Sequence, residues 1–203
     1  MAKPVTFWFE FASPYSYLSA LRIEDAAATR GVELIWKPFL LGPIFKSQGW
    51  DTSPFSIYEA KGQNMWRDVE RRAEKYGIEF NRPDVSRPDA FPQNSLLAAR
   101  AAIAALHEPW GRDFCKRVFA AAFQHGLDIS ASSTIADCIE AAGGIDHVYM
   151  RMAYSNTQKQ ALRENTEAAQ THGIYGAPSF TVGDELFWGD DRLEDALKWA
   201  SQD

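Results

Sequence analysis

The sequence predicts an α/β chain in which a β-α-β unit near one end and a β-β-α unit near the other enclose a large all-helical insertion. Three observations carry this. Val5 to Phe11 and Val32 to Pro38 are aromatic and β-branched runs separated by a stretch of helical apolar spacing. Ser179 to Val182 and Glu185 to Trp188 repeat that strand composition around Gly183-Asp184, a hairpin signal. Between these ends every apolar pattern has helical period.

The first strand meets Ser13-Pro14, an N-cap followed by proline at the first helical position. The helix it opens carries Leu18, Leu21 and Ala26 on one face and stops near Gly31. Leu40 to Pro54 is rich in Gly, Pro and aromatics without a period and reads as an ordered loop of the kind that lines sites. Helices follow. One contains Tyr58, Met65, Trp66, Val69 and Tyr76 and stops at Gly77; another runs from about Gln93 to Leu106; a third carries Trp110, Phe114, Val118 and Phe123. Ser133 caps a fourth, ahead of Gly143-Gly144, and Ser155 or Asn156 opens a fifth that ends at Gly173. A last helix spans about Asp191 to Ala200. Without the insertion, β-α-β followed by β-β-α is a thioredoxin-like core, so residues 1–45 and 174–203 are expected to form one discontinuous domain and 46–173 a helical insertion domain.

At 203 residues and 46% hydrophobic, the chain can bury a substantial core unaided. Its net charge of -6, from 27 acidic and 21 basic side chains, and the lack of a basic stripe argue against nucleic acid as a partner. The densest charged run, Arg67 to Lys75, alternates in sign like a solvated helix face. The N-terminal apolar run is broken by Glu10, too short for a signal or a membrane span, and no later segment reaches membrane length. Cys115 and Cys138 sit inside apolar helical patterns and read as small core residues, which fits a reducing cytoplasm. His107, His125, His147 and His172 show no ligand spacing, so no metal site is expected.

Three motifs carry chemistry. Ser13-Pro14-Tyr15-Ser16 occupies the strand-to-helix turn where thioredoxin-like oxidoreductases carry Cys-x-x-Cys. With serine at both positions no disulfide can form, but the backbone N–H groups and helix dipole that stabilise an anion remain. The Ser13 hydroxyl could hydrogen-bond the sulfur of an external thiol and favour its thiolate, although a plain N-cap explains it alone; Ser16, facing the helix, reads as structural. Gly176-Ala177-Pro178-Ser179-Phe180 opens the hairpin with a proline whose cis form would leave the Ala177 backbone able to pair with an extended peptide, against the rival reading of an ordinary edge-strand proline. Trp188-Gly189-Asp190-Asp191-Arg192 places two acids at a helix start, where they serve as caps or meet the charged ends of a γ-glutamyl group.

In register, SPYSYL near residue 13, GAPSF near 177 and GDELFWGDDRL near 190 resemble the 2-hydroxychromene-2-carboxylate isomerases, relatives of kappa-class glutathione transferases, along the whole chain. The resemblance implies glutathione as cofactor and a homodimer. By it Ser13 activates the glutathione thiol, Ala177 and Pro178 pair with its cysteinyl backbone, and Asp190 and Asp191 meet its γ-glutamyl end. Where relatives often place an asparagine after glycine, this chain has Trp50; Lys46 and Lys61 are cationic candidates for a substrate or glycyl carboxylate, with a solvated lysine the commoner fate of either, and Phe45, Trp50 and Trp66 are candidates for an aromatic wall beside a flat substrate, with plain core packing as the rival. The implied reaction is the isomerisation of a hydroxychromene carboxylate to a hydroxybenzylidenepyruvate, in aromatic-hydrocarbon breakdown, with glutathione adding and leaving unconsumed. The rivals are a kappa-like transferase that consumes glutathione, a non-catalytic thioredoxin-like module that binds a peptide or thiol, and a disulfide oxidoreductase.

Overall fold

The computed structural model describes residues 2–84 and 90–202. In chain order the elements are β1 (Val5–Phe9), α1 (Pro14–Ala20), α2 (Ile23–Ala28), β2 (Leu34–Pro38), α3 (Leu41–Ser47), α4 (Pro54–Ile57), α5 (Glu59–Tyr76), α6 (Leu96–Ala105), α7 (Gly111–Phe123), α8 (Ser132–Ala141), α9 (Asp146–Tyr154), α10 (Asn156–Thr171), β3 (Ser179–Val182), β4 (Glu185–Trp188) and α11 (Leu193–Ala200). The sheet order is β2-β1-β3-β4, with β1 and β2 parallel and the other neighbours antiparallel. This is the thioredoxin-like arrangement expected, with helices α4 to α10 between its two halves. No helix among the described residues is long and apolar enough to cross a membrane.

Alternation along β1 decides what covers each face of the sheet. Val5, Phe7 and Phe9 enter the main apolar core with Phe180, Val182 and Trp36, and the α7 ring of Phe119 continues that core by packing 5.9 Å from Phe9 and 4.9 Å from Phe11. Trp8 points to the opposite face, among Phe39, Ile44, Ala169 and Ile174, and donates its indole N–H to the Thr181 hydroxyl at 3.0 Å.

Several local expectations need correction. The single helix expected from Ser13 to Gly31 is two: the Arg22 N–H bonds the Ser19 carbonyl at 3.1 Å, three residues back, and this tightened turn separates α1 from α2. The stretch expected as a loop from Leu40 to Pro54 contains α3, because Pro43 falls in the first turn, where a missing N–H is tolerated, and Gly49 turns the chain out of it at φ 85°. α8 opens behind Ala131 and not at Ser133. The sequence pattern does not single out α9, since Ala153 is its one buried side chain and no apolar stripe marks it. The final helix begins with a 3₁₀ turn at Asp190–Arg192.

The charged run on α5 is not solvated throughout. Arg67 and Arg71 face water and pair with Glu70 and Asp68, but Arg72 turns inward onto the buried carboxylate of Asp190. Arg22 reaches the same carboxylate from the break between α1 and α2, at 2.8 Å, and the Ser19 hydroxyl donates to it at 3.2 Å. Burial disfavours both guanidinium charges, yet the Asp190 carboxylate outweighs that and holds their pKa values above the ordinary arginine range. The Arg22 guanidinium also lies 3.7 Å over the Tyr76 ring. Insertion, first helix and last helix therefore meet on one carboxylate. Asp190→Ala leaves Arg72 without its anion and Arg22 with the half-exposed Glu194 alone, and is expected to lower unfolding free energy by about 3–5 kcal/mol. Urea denaturation measures it; a loss below about 1 kcal/mol, the size of an exposed pair, would refute the clamp.

Candidate functional site

β1 ends at Phe9, and the chain turns through Glu10 to Ser13, closed by a hydrogen bond from the Ser13 N–H to the Glu10 carbonyl at 3.0 Å. Ser13 caps α1 with extended backbone angles, its hydroxyl oxygen accepting the Ser16 N–H at 3.2 Å, while Pro14 takes the first helical position. The Ser13 hydroxyl donates to the Ala177 carbonyl at 2.9 Å. That bond joins two motifs 164 residues apart in sequence. The Ala177–Pro178 peptide is cis, as the sequence suggested, and the Pro178 carbonyl accepts the Gly189 N–H at 3.0 Å, so the third motif is tied to the second. Glycine at 176 lets the Trp188 ring lie against the turn: a Cβ there would sit 2.3 Å from the indole nitrogen and displace it.

These turns form part of the wall of a cavity of about 1090 Å³, large for a small-molecule site. Ser13, Ala177, Asp190 and Asp191 all line it, but the two acids have separate fates. The Asp190 carboxylate is occupied by Arg22, Arg72 and Ser19, whereas Asp191 is half exposed and pairs with Arg192 at 3.1 Å. Neither caps a helix through its side chain. Trp50 and Lys61 line the cavity, Trp50 packing 6.0 Å from Phe45 and the Lys61 ammonium lying 5.0 Å over Tyr58. Lys46 is exposed on α3 outside the lining. Trp66 is also absent from it, buried 4.7 Å from Phe91, so the aromatic lining is Tyr15, Phe45, Trp50, Phe55, Phe91, Tyr175 and Trp188.

Sequence reasoning passed over four participants. Tyr15 lines the cavity and donates to the Asp68 carboxylate at 3.0 Å; burial and that anion raise its phenol pKa. Ser95, just before α6, donates to Glu10. Glu10 itself is a buried acid in the cavity wall, its other carboxylate oxygen accepting the Ala12 N–H at 2.8 Å. A charge in the middle of an aromatic run was the available signal. For Arg72 the signal was spacing, because it falls on the face of α5 shared by Met65, Val69 and Tyr76. Both cysteines are buried and lie outside the lining, and burial raises their thiol pKa values, that of Cys138 to about 11. All four histidines are exposed.

Burial pushes the Glu10 carboxyl up to about 7, against the partial lowering by Ser95 and the Ala12 N–H. The folded chain thus keeps a proton that the unfolded chain releases near pH 4.5. The stability that proton brings is complete below that pH and is lost as pH rises to about 7, a decline of about 3 kcal/mol at most. Glu10→Gln removes this dependence. Unfolding free energies of both proteins at pH 5 and pH 8 check it: the variant gains on the wild type as pH rises, and parallel pH dependences would show that Glu10 does not titrate in this window.

Residues 4–198 match the model of the DSBA-like thioredoxin domain. The chain is 28% identical over 201 residues to a 2-hydroxychromene-2-carboxylate isomerase of Sphingobium xenophagum, covering 96% of each protein. It is 27% identical over 205 residues to glutathione S-transferase kappa 2 of Caenorhabditis elegans, covering 94% of this chain and 88% of that protein. A solved 2-hydroxychromene-2-carboxylate isomerase superposes with a TM-score of 0.83 at 26% identity, over 97% of this chain and 93% of its own. The match spans both the sheet and the helical insertion, and the chain belongs to the DSBA-like thioredoxin domain family.

Proposed function

We propose that this protein is a glutathione-dependent isomerase of the 2-hydroxychromene-2-carboxylate type, acting in the cytoplasm on a conjugated aromatic keto acid. The observation that carries the reading is the Ser13 hydroxyl at the N-terminus of α1, facing the cis Ala177–Pro178 turn in the wall of a large, mainly apolar cavity. Where a redox enzyme needs a thiol, this turn offers a donor. Glutathione fits that chemistry: it supplies the sulfur, its cysteinyl backbone pairs with Ala177, and Asp191, whose carboxylate is half exposed, meets the γ-glutamyl ammonium. Asp190 contributes by fixing the turn through Arg22 and Arg72.

In the mechanism, Ser13 and the α1 dipole stabilise the thiolate. The thiolate sulfur forms a bond to the alkene carbon conjugated with the keto group, and the π electrons move to the keto oxygen as an enolate. Rotation about the resulting single bond follows. The enolate then re-forms the double bond in the other geometry and expels the thiolate, so glutathione is regenerated. The likeness to the kappa transferase favours one second reading, in which the adduct is protonated and released with glutathione consumed.

The test is turnover of o-hydroxybenzylidenepyruvate with reduced glutathione, together with titration calorimetry and an ultraviolet scan for bound thiolate. The expected result is substrate isomerised in large excess over glutathione, with the glutathione recovered. Ser13→Ala is expected to fold with a cap-sized loss of about 0.5–2 kcal/mol and to lose turnover about 100-fold or more, along with the thiolate signal. Near-wild-type turnover would end the proposed role of Ser13, and one glutathione consumed per product would select the transferase.

A further inference from the structure

Resting on the reading that a thiol adds to a conjugated acceptor in this cavity, we propose that Glu10 is the proton carrier of the site. Its carboxylate takes the proton of the incoming thiol, leaving the thiolate to attack. The acid so formed donates that proton to the enolate oxygen as the carbon–sulfur bond forms. After rotation the steps reverse: Glu10 withdraws the proton, the carbonyl re-forms, the carbon–sulfur bond breaks, and the thiolate leaves. No proton or electron is gained or lost over the cycle.

The geometry supports this role. Glu10 and Ser13 are the first and last residues of one hydrogen-bonded turn, and both line the cavity. Each carboxylate oxygen of Glu10 has one protein donor, the Ala12 N–H or the Ser95 hydroxyl, and keeps a lone pair for a further proton. Among the described residues no lysine or arginine pairs with it. The other charged groups of the cavity among the described residues are engaged elsewhere or make no bond to it: Asp68 holds Tyr15, Arg72 holds Asp190, Lys61 lies over Tyr58, Asp191 pairs with Arg192, and Asp51 lines the wall.

Among the described lining residues, Glu10 is the one buried acid with no cation on it. No histidine or cysteine is in it, the Tyr15 phenol is held protonated by burial and Asp68, and the Ser13 proton is already given to Ala177. Burial poises Glu10 near neutrality, the condition under which one group both accepts and donates efficiently. A glutamine could accept the Ala12 N–H on its amide oxygen and donate its NH2 to the Ser95 oxygen without burying a titratable group. What the acid alone provides is a transferable proton.

The test compares wild type, Glu10→Gln and Ser95→Ala in glutathione-dependent turnover of o-hydroxybenzylidenepyruvate from pH 5.5 to 9, with glutathione affinity measured by calorimetry. Wild-type turnover is expected to rise through pH about 7 as the carboxylate forms. In Glu10→Gln that acidic limb disappears and turnover falls about 100-fold, while glutathione affinity stays within a few-fold. Ser95→Ala keeps the carboxyl but removes a donor that favours its ionised form, so the limb moves to higher pH with the plateau retained. A merely structural role would leave the limb in place. Wild-type turnover with an unchanged limb in Glu10→Gln, or an unmoved limb in Ser95→Ala, overturns the proton role alone. Absence of glutathione binding by the wild type overturns the underlying reading and this one with it.

Discussion

Asp190 places a carboxylate at a buried position in the cavity wall, and two guanidiniums make that position tenable. The rest of the site depends on the arrangement. Arg22 arrives because the first helix breaks at Leu21, and Arg72 arrives because one residue of a charged helix turns inward. The Gly189 N–H, next in the chain, bonds the Pro178 carbonyl, so the clamp also fixes the cis-proline turn opposite Ser13. Isolated buried ion pairs are weak evidence for stability, since desolvation offsets attraction. This one specifies position: it joins three elements distant in sequence at one point of the cavity wall.

Replacing two thiols by two hydroxyls changes the chemistry of the thioredoxin turn without changing its form. Ser13 still caps α1, and its oxygen still meets the cis-proline backbone, as a sulfur at that position would. Ser16 is fully buried and turned onto the Glu10 N–H, a structural contact. What the turn no longer offers is a thiol of its own, and under the proposed function the reactive sulfur is brought from outside. A large cavity with aromatic walls beside the turn is the shape that such a division of labour needs.

The strands, the hairpin, the proline-opened helix and the serines at the turn were legible because each rests on local chemistry: β-branched runs, a Gly-Asp turn, Ser-Pro at a helix start. The three motifs meet through the bonds from Ser13 to Ala177 and from Gly189 to Pro178. Less legible was what depends on three-dimensional direction. The approach of Arg72 to Asp190 crosses 118 residues, and the Glu10 to Ser95 contact crosses 85. α3 and α9 were hidden for a different reason, since short or largely exposed helices bury too little to impose a period on their sequence. Lys46 and Trp66 show the limit of composition alone: the residue types suited a binding site, while helix phase turned one to solvent and the other into the core.

The hydrogen bond from Ser13 to the Ala177 carbonyl has a consequence for what the site accepts. Because the hydroxyl has one proton and that proton is already placed, a newcomer must win it by exchange. A neutral ether or disulfide sulfur is a poorer acceptor than the amide carbonyl it would displace, so the exchange runs against it. An anion is a better acceptor, forming a bond roughly twice as strong as a neutral one. The resting turn is thus a competitor built into the protein, setting a threshold of basicity that a ligand must exceed before the serine lets go of its own backbone.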